Sequence, residues 1–156
     1  MHRVLKLLPI LLILAAPVRA LEPRDGWVIF QSGKSFDDLV KAVNAAVDEA
    51  PIRIVTQASA SAGAKMQGIT IPGNRVFGLY RNDYARRMLD ASIAAGIEAP
   101  IRLYVTEEAD GTATLSYKTP SHVFAPYAEE GGAALRALAD ELDTVFEDVA
   151  RAAVTE

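Results

Sequence analysis

Hydrophobic and polar positions alternate along the chain with two distinct periods. A period of two, or a run of β-branched and aromatic residues, predicts strands, and a period of three to four predicts helices. Strand-like segments occur at residues 27–31, 52–57, 75–80, 101–106 and 112–117. Helix-like segments occur at residues 36–49, from residue 82 to a stop at Gly96, and after Gly131-Gly132. Small side chains fill residues 58–66, which fit either a short helix or a loop.

Capping and turn residues mark the ends of several of these elements. Ser35 and Asn82 carry side chains preferred at helix N-termini, and aspartates follow both closely. Asp110-Gly111 is a turn pair that joins the last two strands into an antiparallel hairpin. The resulting order, β-α-β-(α)-β-α-β-β-α, ends in this hairpin instead of repeating βαβ units. It predicts an α+β fold, with a mostly antiparallel sheet and helices packed on one face, formed by a single domain at residues 21–156.

Composition and missing motifs exclude several classes of function. The chain has 156 residues, of which 51% are hydrophobic, and its formal net charge of −4 gives no reason to expect nucleic acid as a partner. Cysteine is absent, which excludes disulfides, thiolate metal sites and cysteine nucleophiles. No Gly-x-Ser-x-Gly elbow of a serine hydrolase occurs. Gly33-Lys34-Ser35 lacks the glycine that a phosphate-binding loop carries five residues earlier, because Val28 stands there.

The first twenty residues predict a secretory signal peptide. Arg3 and Lys6 form a positive start, residues 7–16 are apolar apart from one proline, and Val18-Arg19-Ala20 places small side chains where signal peptidase recognises them. The apolar run is too short to span a bilayer. We therefore expect Sec-type export with cleavage after Ala20, and a periplasmic or secreted mature chain without a stable membrane anchor.

Residues 27–127 resemble the bacterial family called domain of unknown function 302. The resemblance rests on the order and spacing of Ala64-Lys65, Pro72, Met88, Ile97-Glu98-Ala99-Pro100-Ile101-Arg102, Gly111 and Ser116-Tyr117-Lys118-Thr119-Pro120. Many members carry Gly-Asn-Pro after the third strand. Residues 78–83 here are Gly-Leu-Tyr-Arg-Asn-Asp, so the chain resembles an exported subgroup with a rebuilt turn. The resemblance implies a TATA-binding-protein-like α+β domain and a tendency to form homodimers, and it implies no established activity.

A local positive patch is unusual on this acidic chain. Arg81, Arg86 and Arg87 cluster at the start of a predicted helix, where Asn82 adds free backbone N–H groups. Such a patch can hold a carboxylate, another small anion or the acidic surface of a protein partner. Pairing of Arg86 with a nearby aspartate is the structural alternative. The side chains expected to line a cleft with this patch are Tyr104, Tyr117 and His122.

His122 and Glu98 are the candidates for acid–base or metal chemistry. His122 is the only imidazole that remains after signal cleavage, and it follows Ser121 at a predicted helix start. To act as a base or a metal ligand it needs carboxylate partners such as Glu98 or Glu107. Glu98 is also close in sequence to Arg102, so a structural ion pair is the alternative to an acid–base role.

The chain thus combines a well-patterned core with few groups able to do chemistry. This predicts an exported binding or accessory domain, for a small anionic ligand or a protein partner, rather than an enzyme, and no cofactor is expected. The alternative is a small enzyme or a haem- or metal-binding protein that uses His122 with a carboxylate. A third hypothesis is a structural dimer that buries its apolar sheet face against a partner.

Overall fold

The computed structural model describes residues 21–155, and the predicted signal peptide at residues 1–20 lies outside that range. The described residues form five strands: β1 (Trp27–Ser35), β2 (Arg53–Ala58), β3 (Asn74–Tyr80), β4 (Ile101–Glu107) and β5 (Thr112–Lys118). Five helices accompany them: α1 (Phe36–Glu49), α2 (Ala60–Met66), α3 (Asn82–Ala91), α4 (Pro120–Phe124) and α5 (Ala128–Val154). Short 3₁₀ segments occupy Ala94–Glu98 and Ala125–Tyr127.

All five strands form one antiparallel sheet in the order β1-β5-β4-β3-β2. Because β1 and β2 are its opposite edges, the connection through α1 passes over the whole sheet. Helices α1 and α3 both pack against α5, and the three helices cover the same face. The predicted α+β architecture with helices on one face is therefore confirmed.

The core lies between this helical layer and one set of strand side chains. On β4, Leu103 and Val105 point towards the helices and are completely buried, as is Leu115 on β5. Leu39 of α1 and Phe146 of α5 are equally buried from the other side. Each such side chain contributes about 2–3 kcal/mol by leaving water, so the helical layer is held by apolar packing. The opposite sheet face carries the alternate residues.

The boundaries of α3 differ from the sequence prediction, and the segment at residues 58–66, which fitted either a helix or a loop, has a defined structure. Ala58 ends β2, and Ala60–Met66 form α2, whose N-cap is Ser59. Arg81, not Asn82, is the N-cap of α3, because the extended backbone of β3 continues through Arg81. That helix ends at Ala91 instead of Gly96, since Ser92 adopts an extended conformation. The hydroxyl of Ser92 then accepts a hydrogen bond from the N–H of Ala95, in the 3₁₀ segment Ala94–Glu98.

The helical segment α5 is interrupted at Gly132, where φ is 56° and ψ is −146°. Such a conformation strains any residue with a side chain, so the glycine produces the kink. A short helical turn from Ala128 therefore precedes the long helix, which follows Gly131-Gly132 as predicted. Among residues 21–155, no helix has the length and apolar character needed to cross a bilayer.

Candidate ligand-binding groove on the open face of the sheet

The sheet face opposite α1, α3 and α5 is here called the open face. Antiparallel pairing arranges its side chains in cross-strand rows. One row runs through Ile29, Ser116, Tyr104 and Val76. In the adjacent row Trp27 faces Lys118. Because Leu103 pairs with Tyr117, the next residues along the two strands, Arg102 and Lys118, also lie side by side.

A groove of about 760 Å³ follows these rows. Its floor is the open face, and its rim is formed by Ala60 of α2, Glu98 of the first 3₁₀ segment, and His122, Val123 and Pro126. A second depression of about 290 Å³ adjoins it towards β2. The two share Ala58, Val76, Glu98 and Arg102, so they form one continuous surface feature. Its size is typical of a site for a small organic molecule.

Positive charge in this groove is concentrated in the row that contains Trp27, Lys118 and Arg102. Arg102 and Lys118 both line it, and neither forms an ion pair in the described part of the chain. The ammonium group of Lys118 lies 5.8 Å from the centre of the Trp27 ring, and the guanidinium group of Arg24 lies 5.5 Å from it. Such cation–π contacts hold the Arg24 guanidinium and the Lys118 ammonium beside the indole, and they leave both charges unneutralised.

The one carboxylate that lines the groove is already engaged. Glu98 Oε1 accepts a hydrogen bond of 2.8 Å from the hydroxyl of Tyr127. This bond raises the pKa of Tyr127 above its usual value, because ionisation would place a second negative charge beside Glu98. The predicted Glu98–Arg102 ion pair is not formed within residues 21–155. Glu98 therefore connects two rim segments instead of neutralising Arg102.

A buried hydroxyl without a partner lies in the floor of the groove. Ser116 is 0% exposed, and its Oγ has no hydrogen-bond partner among the described residues. Leaving such a group unpaired costs about 1–3 kcal/mol, so it needs an explanation. Its cross-strand neighbours on the open face are Ile29 and Tyr104. A ligand reaches this hydroxyl only after the flanking side chains move.

His122 is fixed in the rim by its position in α4. Its backbone N–H is capped by the hydroxyl of Thr119 at 3.2 Å, and the preceding N–H, of Ser121, is capped by the Asp143 carboxylate at 2.8 Å. The imidazole packs on Gly26, where a Cβ atom would lie only 2.1 Å from ring atoms Cγ and Nδ1. Both the capped turn and the missing side chain therefore determine where the ring sits.

The sequence-predicted cleft residues fall into two groups. Tyr104 and His122 line the groove together, and the acid–base candidate Glu98 lines it as well. Tyr117 borders the groove but is only 3% exposed, and its ring centre lies 5.6 Å from that of Phe146 in the core. Its hydroxyl is therefore directed away from any ligand on the open face.

The arginine cluster lies on α3, in the helical layer, and does not line this groove. Arg81 is ion-paired with Asp83 and donates to the carbonyl of Pro51 at 2.7 Å. Arg87 pairs with Glu141 of α5 at 2.7 Å. Both guanidinium groups also lie near the Tyr84 ring. Asn82 and Arg86 are exposed on the same helix.

Sequence analysis missed Trp27, Arg102, Ser116 and Lys118 as site residues. The signal was present in the alternation of β4 and β5, which places Arg102 and Lys118 on the face opposite Leu103 and Leu115. The pattern within the strands does not predict the strand order that brings Trp27 beside Lys118.

The remaining candidates have structural partners. The carboxylate of Glu107 accepts the N–H of Gly73 at 2.6 Å and holds the loop before β3. No group of three or more His, Asp or Glu side chains suited to a metal ion occurs within residues 21–155. Lys34, from the Gly-Lys-Ser run, donates to the carbonyl groups at the end of α5.

An α+β domain with an open antiparallel sheet is thus the class that the fold defines. The family model described as domain of unknown function DUF302 matches residues 28–153, and the chain belongs to this family. No curated protein matches it. The chain is similar to the crystal structure of an uncharacterized conserved protein DUF302 from Bacillus stearothermophilus, with a TM-score of 0.72 and 13% identity. That similarity covers 83% of this chain and 98% of the other, and at this identity it shows the fold alone.

Proposed function

We propose that this chain is an exported binding domain that takes a small organic anion in the groove on the open face. One observation carries the proposal: Arg102 and Lys118 lie side by side in one row of the groove, and neither forms an ion pair in the described region. Export rests on the predicted signal peptide. The ligand class follows from the charge and size of the groove.

Adjacent like charges on a sheet destabilise the protein. A carboxylate bound between Arg102 and Lys118 removes that repulsion and forms charge-assisted hydrogen bonds with both. His122, on the same rim, is a further donor to such a ligand. Because the chain as a whole is acidic, attraction depends on these local cations, and binding should weaken as added salt screens them.

The arginines of α3 are a weaker candidate for the same ligand. Asp83 and Glu141 already neutralise Arg81 and Arg87, so an anion there would have to displace a bound carboxylate. Arg86 remains free of ion pairs within residues 21–155, but it is exposed and isolated from the groove. A single exposed cation in water binds anions weakly.

Calorimetric titration with benzoate, compared between the natural chain and single variants, tests the proposal. Arg102→Gln and Lys118→Gln should each weaken binding about tenfold, because each removes a charge-assisted contact. Arg136→Gln, an exposed arginine of α5, is the matched control and should leave binding unchanged. If Arg86→Gln weakens binding while Arg102→Gln does not, the ligand sits on α3 and the groove assignment is wrong.

An acid–base role for His122 and Glu98 is the second candidate function, because both side chains line the same groove. This role requires that the chain converts a bound anion into a product. Both His122→Ala and Glu98→Gln should then abolish turnover, while binding of the anion persists. The homodimer implied by the family resemblance remains a prediction, and sedimentation equilibrium of the mature chain tests it.

A further inference from the structure

We infer that the ligand is an anionic amphiphile with a single apolar chain, such as a long-chain carboxylate. This inference rests on the proposed anion site and names the part of the ligand that the cations do not contact. It starts from the uneven distribution of charge in the groove. The cations Arg102 and Lys118 occupy one row, whereas the neighbouring row contains Tyr104 and Val76.

The apolar side of the groove continues beyond this row. Val76 pairs with Ala58 of the edge strand β2, and both residues also line the adjoining depression. That depression is bordered by Ile97, whose side chain is 80% exposed. Ala58, Val76 and Ile97 therefore form an apolar border of this depression, beside the polar side chains of Thr56, Gln57, Glu98 and Arg102. Ile97 is a large apolar side chain in contact with water, and a ligand chain that covers it removes that surface from water.

The dimensions also favour a ligand larger than a simple anion. An inorganic anion or acetate bound at Arg102 and Lys118 would fill only a small part of a groove of about 760 Å³. A chain lying along Tyr104, Val76 and Ala58 would remove apolar surface from water at each added methylene group.

Titration with straight-chain carboxylates of increasing length, kept below their micelle-forming concentrations, tests the inference. From acetate through butanoate and octanoate to dodecanoate, affinity should rise about two- to fourfold per methylene group that the groove covers. Dodecanol and dodecylammonium serve as controls for the headgroup. Both should bind at least about tenfold more weakly than dodecanoate, since neither brings a negative charge to Arg102.

Two isoleucines of the same 3₁₀ region provide a matched pair of variants. Ile93 and Ile97 are both 80% exposed, but only Ile97 borders the depression that adjoins the groove. Ile97→Ser should weaken binding of dodecanoate severalfold and leave butanoate unchanged, whereas Ile93→Ser should affect neither. Arg102→Gln should weaken both acids. Because both isoleucines are exposed, neither replacement should disturb folding.

The outcomes separate this inference from the proposed function. If Arg102→Gln weakens all the acids but affinity does not change with chain length, the anion site stands and the amphiphile is wrong. If no carboxylate binds, the proposed function fails as well. Sedimentation with vesicles of anionic phospholipid is the third arm, and binding to vesicles without binding to monomeric acids would overturn the inference in favour of a membrane surface.

Discussion

The ammonium group of Lys34 donates a hydrogen bond of 2.5 Å to the carbonyl oxygen of Thr155 and one of 3.3 Å to that of Val154. Lys34 lies in the irregular part of β1, where the pairing with β5 shifts between Ser32 and Ser35. A positive side chain at the C-terminal end of a helix satisfies free carbonyl groups and interacts favourably with the helix dipole. The lysine of the Gly-Lys-Ser run thus ties the first strand to the last helix.

Replacing this lysine should destabilise the fold. Lys34→Met keeps the length of the side chain but removes both hydrogen bonds, and we expect a loss of about 1 kcal/mol in the free energy of unfolding. Urea unfolding followed by circular dichroism measures the change. Lys41→Met is the control, because Lys41 forms only an exposed pair with Asp38 and should matter by less than about 0.5 kcal/mol. Equal effects of the two replacements would contradict the capping role.

Local periodicity was sufficient to predict most of the fold. The alternation of Leu103 with Arg102 and Tyr104, and the cap at Ser35, are determined by neighbours in sequence, and both were predicted correctly. The predicted end of α3 is wrong because the Ala95 N–H donates a competing hydrogen bond to the hydroxyl of Ser92, at a 3₁₀ turn that no periodicity reveals.

The candidate site depended on contacts between distant parts of the chain. The sequence predicts one cleft that combines the patch at Arg81 to Arg87 with Tyr104, Tyr117 and His122. Tyr104 and His122 do line one groove, but the arginines lie in the helical layer. The pairing of Trp27 with Lys118 joins residues from the first and last strands, and periodicity within a strand says nothing about which strands are neighbours. The neutralisation of Arg87 by Glu141 likewise depends on how α3 packs on α5.

Gly26 should be intolerant of a side chain because of its contact with His122. Its φ is 72°, and a Cβ atom would lie 2.1 Å from the imidazole. Gly26→Ala is therefore expected to cost about 2 kcal/mol or more, with roughly 1 kcal/mol from the backbone and the rest from the clash. Chemical denaturation of the two single variants and the double variant Gly26→Ala/His122→Ala separates these contributions.

The double variant should recover only the steric part of the loss. The interaction energy from this cycle should be about 1 kcal/mol, since alanine at position 122 removes the ring but leaves the strained backbone at position 26. Additive effects would mean that the imidazole does not pack on Gly26.

Tyr117 should make the fold sensitive to high pH. Burial raises the pKa of its phenol well above the ordinary value of 10.0, and the nearby Glu147 and Asp143 raise it further. The folded chain therefore favours the neutral phenol, so this stabilisation is complete below pH 10 and is lost as the pH rises further. The free energy of unfolding should fall by about 1 kcal/mol per pH unit above pH 10 through this group. Urea unfolding at several alkaline pH values should show a shallower decline for Tyr117→Phe, and an unchanged slope would contradict the assignment.

The ion pair between Arg81 and Asp83 should contribute to stability only where the carboxylate is ionised. Hydrogen bonds from Arg81 lower the pKa of Asp83 from 3.8 to about 2. Because the folded state favours the charged form, the contribution is fully present above about pH 4 and disappears as the pH falls through 2. Asp83→Asn should therefore lower the melting temperature at pH 6 by a small amount that vanishes near pH 2. In an Arg81→Gln background the same replacement should have little effect at either pH. A loss of equal size in both backgrounds would show that Asp83 acts through the start of α3 and not through Arg81, which would leave that arginine available to an external anion.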